Sequence, residues 1–186
     1  MKQRCFWVTD SDLYKKYHDE EWGTPVYDDC ILFEFLILET FQAGLSWITI
    51  LNKRENFREA FDHFDYKKIA TYSESKYDSL LQDSGIIRNK LKIKSAITNA
   101  QLFIEIQKEF GSFSKFIWSY VNNKPIINKF EKREEVPATT TLSDTISKDL
   151  KKRGFKFVGS TVMYAYMQAV GMVNDHTTDC FKHPSE

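Results

Sequence analysis

Four residues able to bind a soft divalent metal lie at the two ends of the 186-residue chain: Cys5 and His18 near the start, His176 and Cys180 near the finish. The spacing is C-x12-H followed, far downstream, by H-x3-C. Two thiolates and two imidazoles suit tetrahedral zinc. A helical turn over 176–180 would put His176 and Cys180 on one face, where they could grip one ion. Four protein ligands leave no open position, so such an ion would be structural rather than hydrolytic. The long gap between the pairs is unlike a zinc finger, and from spacing alone unrelated Cys and His residues are the plainer alternative. Cys30 reads as a core thiol beside an apolar helix. His63 and His183 read as surface residues.

A second candidate is a single carboxylate among aromatics. Leu36-Ile37-Leu38-Glu39 ends a nearly all-apolar helix with a charge that is costly to bury unless it is paired or used. Trp47 follows eight residues on, past a glycine-containing turn. Tyr14 and Tyr17, three apart, share a face if their segment is helical. Aromatic rings around a carboxylate make a pocket for a flat, cationic heteroaromatic ring, through stacking and cation–π attraction. The alternative is a core edge with Glu39 at the surface or salt-bridged.

A third is the turn Lys151-Lys152-Arg153-Gly154-Phe155-Lys156-Phe157-Val158-Gly159-Ser160-Thr161, with a helix expected on each side. Two glycines bracket a short hairpin whose backbone N–H groups can bind a phosphate oxygen. Flanking lysines add unspecific attraction to a nucleic-acid backbone. An ordinary helix–helix connection explains the same residues, with Phe155, Phe157 and Val158 as core packing.

The elements that must position these groups are helical. Seven Gly and four Pro punctuate the chain, and period-2 alternation is scarce, so the fold class is all-α. Asp28-Asp29 precede a buried helix over 31–39, with an N-cap signal. Leu45, Ile48 and Leu51 mark one face of the next helix, which continues through 52–61. Further helices are expected over 73–81, 90–110 and 113–121. The segment 122–141 is the longest candidate loop. Thr141 or Ser143 can cap a helix over 144–153, and Gly154 sits where a helix C-terminal glycine belongs. The last helix spans 160–170, closed by Gly171.

Composition bounds the class. The chain is 42% hydrophobic and 15% aromatic, enough for a sizeable core, which excludes general disorder. No apolar run approaches the roughly 20 residues of a membrane helix, since Glu34 breaks the longest. No secretory signal is visible, so the reading is cytoplasmic. Three cysteines, odd in number and far apart, argue against a disulfide framework. With 26 basic and 26 acidic residues the net charge is zero, but it is unevenly spread. Residues 1–83 carry 10 basic and 16 acidic groups, a balance of −6; residues 84–186 carry 16 and 10, a balance of +6. The basic clusters Arg88/Lys90/Lys92/Lys94 and Lys148/Lys151/Lys152/Arg153/Lys156 place any polyanion-binding surface in the second half, or else are solvated helix faces.

Taken together these motifs resemble the type I 3-methyladenine DNA glycosylases, from roughly Arg4 to Cys180. The segments that carry the resemblance are Arg4-Cys5-Phe6-Trp7-Val8, Tyr17-His18-Asp19-Glu20-Glu21-Trp22-Gly23, Leu38-Glu39 with Gln42-Ala43-Gly44-Leu45-Ser46-Trp47, Asp83-Ser84-Gly85-Ile86-Ile87-Arg88, the glycine-bracketed turn 151–159, and Gly171-Met172-Val173-Asn174-Asp175-His176. Each is short; their order and joint presence are specific. The resemblance implies a helix-hairpin-helix glycosylase of two helical lobes, a single catalytic unit over 1–186. Its hairpin element would lie at about 143–171. One structural zinc on Cys5, His18, His176 and Cys180 would tie the termini, 1–20 to 172–186. It implies a base pocket of Glu39, Tyr17 and Trp47, with Tyr14 as a neighbour. It also implies a DNA-backbone surface at Gly154, Phe155, Lys156, Gly159, Ser160 and Thr161, with Lys152 and Arg153 beside it. Two departures stand out. Thr40, followed by Phe41, occupies the place after the pocket glutamate where the family usually has glycine, which bears on the pocket rim. Only Cys180 is present at the last ligand, where the family often carries extra cysteines. Asn174 stands where the wider superfamily places an aspartate, with Asp175 adjacent, which argues against a mechanism built on a carboxylate beside the sugar.

The implied activity is excision of 3-methyladenine from alkylated double-stranded DNA, starting base excision repair. The lesion is flipped out, and the product is free 3-methyladenine. No organic cofactor, no membrane and no nucleophilic lysine is implied, so the enzyme would be monofunctional, and a monomer by default. The rivals are a zinc-stapled DNA-binding module without activity, a zinc hydrolase of small molecules, and a glycosylase of the same fold with another preferred base.

Overall fold

The structure, a computed structural model, describes residues 2–184. Met1, Ser185 and Glu186, the outermost residues of the expected 1–186 unit, lie outside the described residues. Helices dominate, in the order α1 (Asp12–Glu20), α2 (Asp29–Gln42), α3 (Trp47–Ala60), α4 (Tyr66–Ile69), α5 (Glu74–Gln82), α6 (Lys90–Phe110), α7 (Phe113–Ser119), α8 (Thr141–Lys152) and α9 (Ser160–Ala169). Short 3-10 turns cover Asp62–Phe64 and Arg133–Glu135. Among the described residues no helix is long and apolar enough to cross a membrane.

Helix α2 is the centre of the molecule. Asp28 caps it by accepting from the backbone N–H groups of Cys30 and Ile31, as the sequence led one to expect. Every residue from Leu32 to Phe41 is buried, against α3, α6, α7 and α9. Burying a Leu, Ile or Phe contributes roughly 1.5–3 kcal/mol each, so this segment orders its neighbours. Helix α6, capped by Asn89 and ended by Gly111, has the bounds read from its sequence. It runs beside α2, α4, α5 and α7.

Several local expectations are corrected. The segment 122–141 is not all loop: strand β1 (Ile126–Ile127) pairs in parallel with β2 (Val173–Asn174). Two-residue strands are too short to show alternation, and their pairing is non-local. Helix α8 is capped by Thr140, one residue earlier than expected, with Ser143 returning the bond to the Thr140 N–H. Cys30 is exposed rather than in the core, because the first turn of α2 projects beyond the packed layer. Leu45 lies in the turn before α3 and is 41% exposed, so it does not share a buried face with Ile48 and Leu51. Lys92, expected on a solvated basic face, is 6% exposed.

Candidate functional site

The four metal-ligand candidates converge. Cys5, His18, His176 and Cys180 are all buried, and their ligand atoms lie within 4.8 Å of one another. Cys5 Sγ is 3.4 Å from His176 Nδ1; Cys180 Sγ is 3.4 Å from His18 Nε2 and 3.5 Å from His176 Nδ1. Tetrahedral zinc with ordinary Zn–S and Zn–N bonds separates sulfur from nitrogen by about 3.6 Å, so the donor set fits. The far nitrogen of each imidazole has an acceptor: Asp19 Oδ1 at 2.8 Å for His18, and the Trp22 carbonyl at 3.0 Å for His176. Metal-binding histidines are oriented by such partners. Arg4 in turn holds Asp19 at 2.7 and 2.8 Å. Gly23, at φ +74°, gives His176 its room, since a Cβ there would sit 3.0 Å from Nε2. Burial lowers both imidazoles, His176 to about 4, which keeps them neutral as ligands must be. Burial pushes the Cys5 thiol up to about 12, so a Cys5 thiolate here needs a cation. Residues 176–180 are not helical, contrary to the expectation. A turn closed by Cys180 N–H to the Thr177 carbonyl brings the pair together instead.

Beside this centre lies a cavity of about 230 Å³. The structure brings Tyr14, Tyr17, Glu39 and Trp47 onto its wall, together with Trp7, Trp22 and Gln42. Three of the four tryptophans therefore meet here. Tyr14 and Tyr17 come from α1, Glu39 from the last turn of α2, and Trp47 opens α3 after the turn at Gly44. Ring centroids lie 5.3 Å apart for Tyr17–Trp47, 5.0 Å for Trp7–Tyr14 and 5.0 Å for Trp7–Trp22.

Glu39 is 3% exposed, and burial pushes its carboxyl from the ordinary 4.5 up to about 8. Among the described residues three buried side-chain polar atoms have no hydrogen-bond partner: Glu39 Oε2, Trp7 Nε1 and Trp47 Nε1. All three residues line this cavity. Leaving a buried polar atom unpaired costs about 1–3 kcal/mol. Three around one space call for a ligand that donates to a carboxylate oxygen and accepts from indole N–H groups. A flat heteroaromatic ring with an amino group meets that description.

Thr40 and Phe41 take no part in the cavity rim. The Thr40 hydroxyl donates to the Ile37 carbonyl at 2.7 Å, and Phe41 packs on Phe57 and Phe61. Sequence reasoning missed Trp7, Trp22 and Gln42, although all three sit in segments it singled out. It also set Asp175 aside: this carboxylate reaches the cavity wall, accepting from Asn128, Tyr164 and Gln168 at 2.6–2.8 Å.

The glycine-bracketed turn between α8 and α9 is a hairpin. Gly154 takes φ +102°, and the N–H groups of Gly154 and Phe155 return to the carbonyls of Lys151 and Leu150, ending α8. Gly159 stands at the N-cap of α9 and offers no capping side chain, so the first N–H groups of that helix are open to an outside acceptor. Lys152, Lys156 and Thr161 are exposed. Phe155 is 3% exposed, so its side chain belongs to the core. Arg153 is ion-paired with Glu109 and Asp149, and Ser160 bonds Asp144. Helix α9 carries the hairpin at its start and lends Ala165 and Gln168 to the cavity wall.

Residues 7–183 match the model of the methyladenine glycosylase family. The chain is 49% identical over 180 residues to the DNA-3-methyladenine glycosylase of Haemophilus influenzae, covering 97% of each chain. It superposes on a crystal structure of a 3-methyladenine DNA glycosylase I with a TM-score of 0.95 at 49% identity, covering 98% of this chain and 100% of that one. A variant of another such enzyme, crystallised with 3-methyladenine, matches with a TM-score of 0.94 at 37% identity and 98% coverage of both.

Proposed function

The chain belongs to the methyladenine glycosylase family, and from that premise we propose that it excises 3-methyladenine from alkylated DNA by hydrolysing the N-glycosidic bond. The observation that carries the reading is the partnerless oxygen of Glu39 together with the partnerless indole N–H groups of Trp7 and Trp47, on residues that line one aromatic cavity.

Methylation at N3 gives the adenine in DNA a positive charge, so its glycosidic bond is already weak. In the free protein Glu39 keeps its proton near neutral pH, since its carboxyl titrates at about 8. A cationic base entering the cavity supplies the missing counter-charge and favours the carboxylate. Glu39 then accepts hydrogen bonds from the base edge, while the rings of Tyr17 and Trp47 pack against the base and Tyr14 flanks them. The bond from the sugar carbon to the base nitrogen breaks, and the base takes the electron pair and leaves neutral. A water oxygen bonds to the sugar carbon, its proton goes to solvent, and an abasic site remains. The reaction is read as hydrolysis without a Schiff base and without strand cleavage, with Glu39 and the aromatic residues, rather than a lysine, assigned to the base.

Reaching the base requires it to leave the helical stack. The hairpin 154–159, the start of α9, and the exposed Lys152 and Lys156 supply backbone contacts to duplex DNA. Arg153, paired with Glu109 and Asp149, lies beside this surface. Cys5, His18, His176 and Cys180 would hold one zinc ion, which when bound ties the two ends of this single catalytic unit beside the cavity. Metal analysis of unchelated protein is expected to give about one zinc per chain, and its removal to lower the melting temperature. Finding none would contradict the assignment.

The direct test is chromatography of bases freed from methylated duplex DNA. Release of 3-methyladenine without strand scission is expected. Binding of DNA with no base released would leave a binding module instead.

A further inference from the structure

Asn99 and Lys92 lie seven residues apart on α6, two turns and about 10 Å along one face. Each is buried, and each grips backbone on a different functional element. Asn99 is fully buried, and its amide makes a closed pair with the hairpin: Nδ2 donates to the Lys156 carbonyl at 3.0 Å, and Oδ1 accepts the Lys156 N–H at 2.9 Å. Lys92 Nζ donates to the carbonyls of Phe41 at 2.7 Å and Ala43 at 2.6 Å, the last turn of α2 beyond Glu39 and the entry to Trp47. Helix α2 has no basic residue of its own in that turn, so its terminal carbonyls depend on the ammonium from α6. The same ammonium lies 6.0 Å from the ring centre of Phe157, which sits in the hairpin at φ +56°.

We propose that α6 acts as a spacer for the reaction, with Asn99 and Lys92 as positioning residues. They hold the hairpin that grips the DNA backbone at a fixed distance from the turn that carries the base pocket. This rests on the glycosylase reading and deepens it. A flipped nucleotide is tethered to the strand. Its base reaches Glu39 only if the backbone is held at the right distance from the cavity. Free 3-methyladenine has no tether and needs no such register. A displacement of the hairpin by a fraction of an ångström would therefore leave base affinity intact and slow excision.

The test compares wild type, Asn99→Ala, Lys92→Met and the double variant in three measurements. These are single-turnover release of 3-methyladenine from duplex DNA, fluorescence titration with free 3-methyladenine, and thermal melting. Each single variant is expected to release base at least about tenfold more slowly while binding free base within about threefold of wild type. The double variant is expected to be no slower than the worse single one, because both break one register, while the losses in melting temperature add. Asn99→Asp keeps the acceptor and the shape but replaces the donor with a repelling oxygen; it is expected to behave as Asn99→Ala, and it serves if that variant does not fold. Rates that fall only with the folded fraction, free-base affinity that falls in step with the rate, or effects of the two sites that multiply would overturn the spacer. Wild type releasing no base would instead refute the glycosylase reading itself, and the spacer with it.

Discussion

Helix α2 carries two buried carboxylates five residues apart, and they are treated in opposite ways. Glu34, 9% exposed, receives Arg54 at 2.6 Å and Arg58 at 2.8 Å. Arg54 also binds Glu21 at 2.7 Å and lies over the ring of Phe35. Glu39, 3% exposed, has one oxygen with no partner and two indole N–H groups equally unpartnered on the same cavity wall. A buried charge is tolerable when paired, and costly when not. The fold solves the problem at Glu34 and leaves it open at Glu39. An unsolved polar cost on a concave aromatic wall marks where a ligand completes the structure; a solved one marks scaffolding.

The contrast can be broken by removing the partner at the scaffolding end. Arg54→Ala combined with Arg58→Ala removes both cations from Glu34 and is expected to destabilise the protein by about 3–5 kcal/mol. Denaturant unfolding measures this; a loss below about 1 kcal/mol would mean Glu34 is no better satisfied than Glu39.

A smaller, opposite effect is expected at the functional end. The Glu39 carboxyl titrates at about 8 when folded against an ordinary 4.5, so the folded state holds its proton more tightly. Its contribution is therefore fully present below pH 4.5 and is lost as pH rises through 8. Glu39→Gln removes that titration. Relative to wild type the variant is expected to gain about 1–3 kcal/mol between pH 5 and pH 9. The ceiling is set by proton linkage, at most about 1.4 kcal/mol for each pH unit over which the folded and unfolded chains differ by one proton. Parallel pH–stability curves for the two proteins would show that Glu39 is not strained by burial.

The helical scaffold was largely legible because its signals are local. Asp28 caps α2 as its side chain allows, and α6 spans 90–110 as the sequence marks it, between Asn89 at its N-cap and Gly111 at its C-cap. Residue types alone marked the metal cluster and the aromatic pocket as candidates, and the resemblance decided for them against the plainer alternatives, since each set joins distant segments. What stayed hidden is pairing across space. Arg54 and Glu34 are 20 residues apart with nothing in the intervening sequence to link them. Lys92 looked like one cation among four, yet Arg88, Lys90 and Lys94 are exposed while it turns inward to two carbonyls. Trp7 and Trp22 were in view as residues but not as a wall, because that wall exists only once α1 and the segment before it fold over the end of α2. Thr40 and Phe41 seemed to bear on the pocket from adjacency alone, and helical geometry turned them to the core.

Glu39 is buried with one oxygen left unpartnered, and the role assigned to it is to hold a methylated base. The measurement that tests it most directly is single-turnover release of 3-methyladenine from methylated duplex DNA by wild type and Glu39→Gln, with melting curves to establish that both are folded. Release by wild type is expected, with a rate at least about 100-fold lower in the variant. Equal rates from two folded proteins would contradict it.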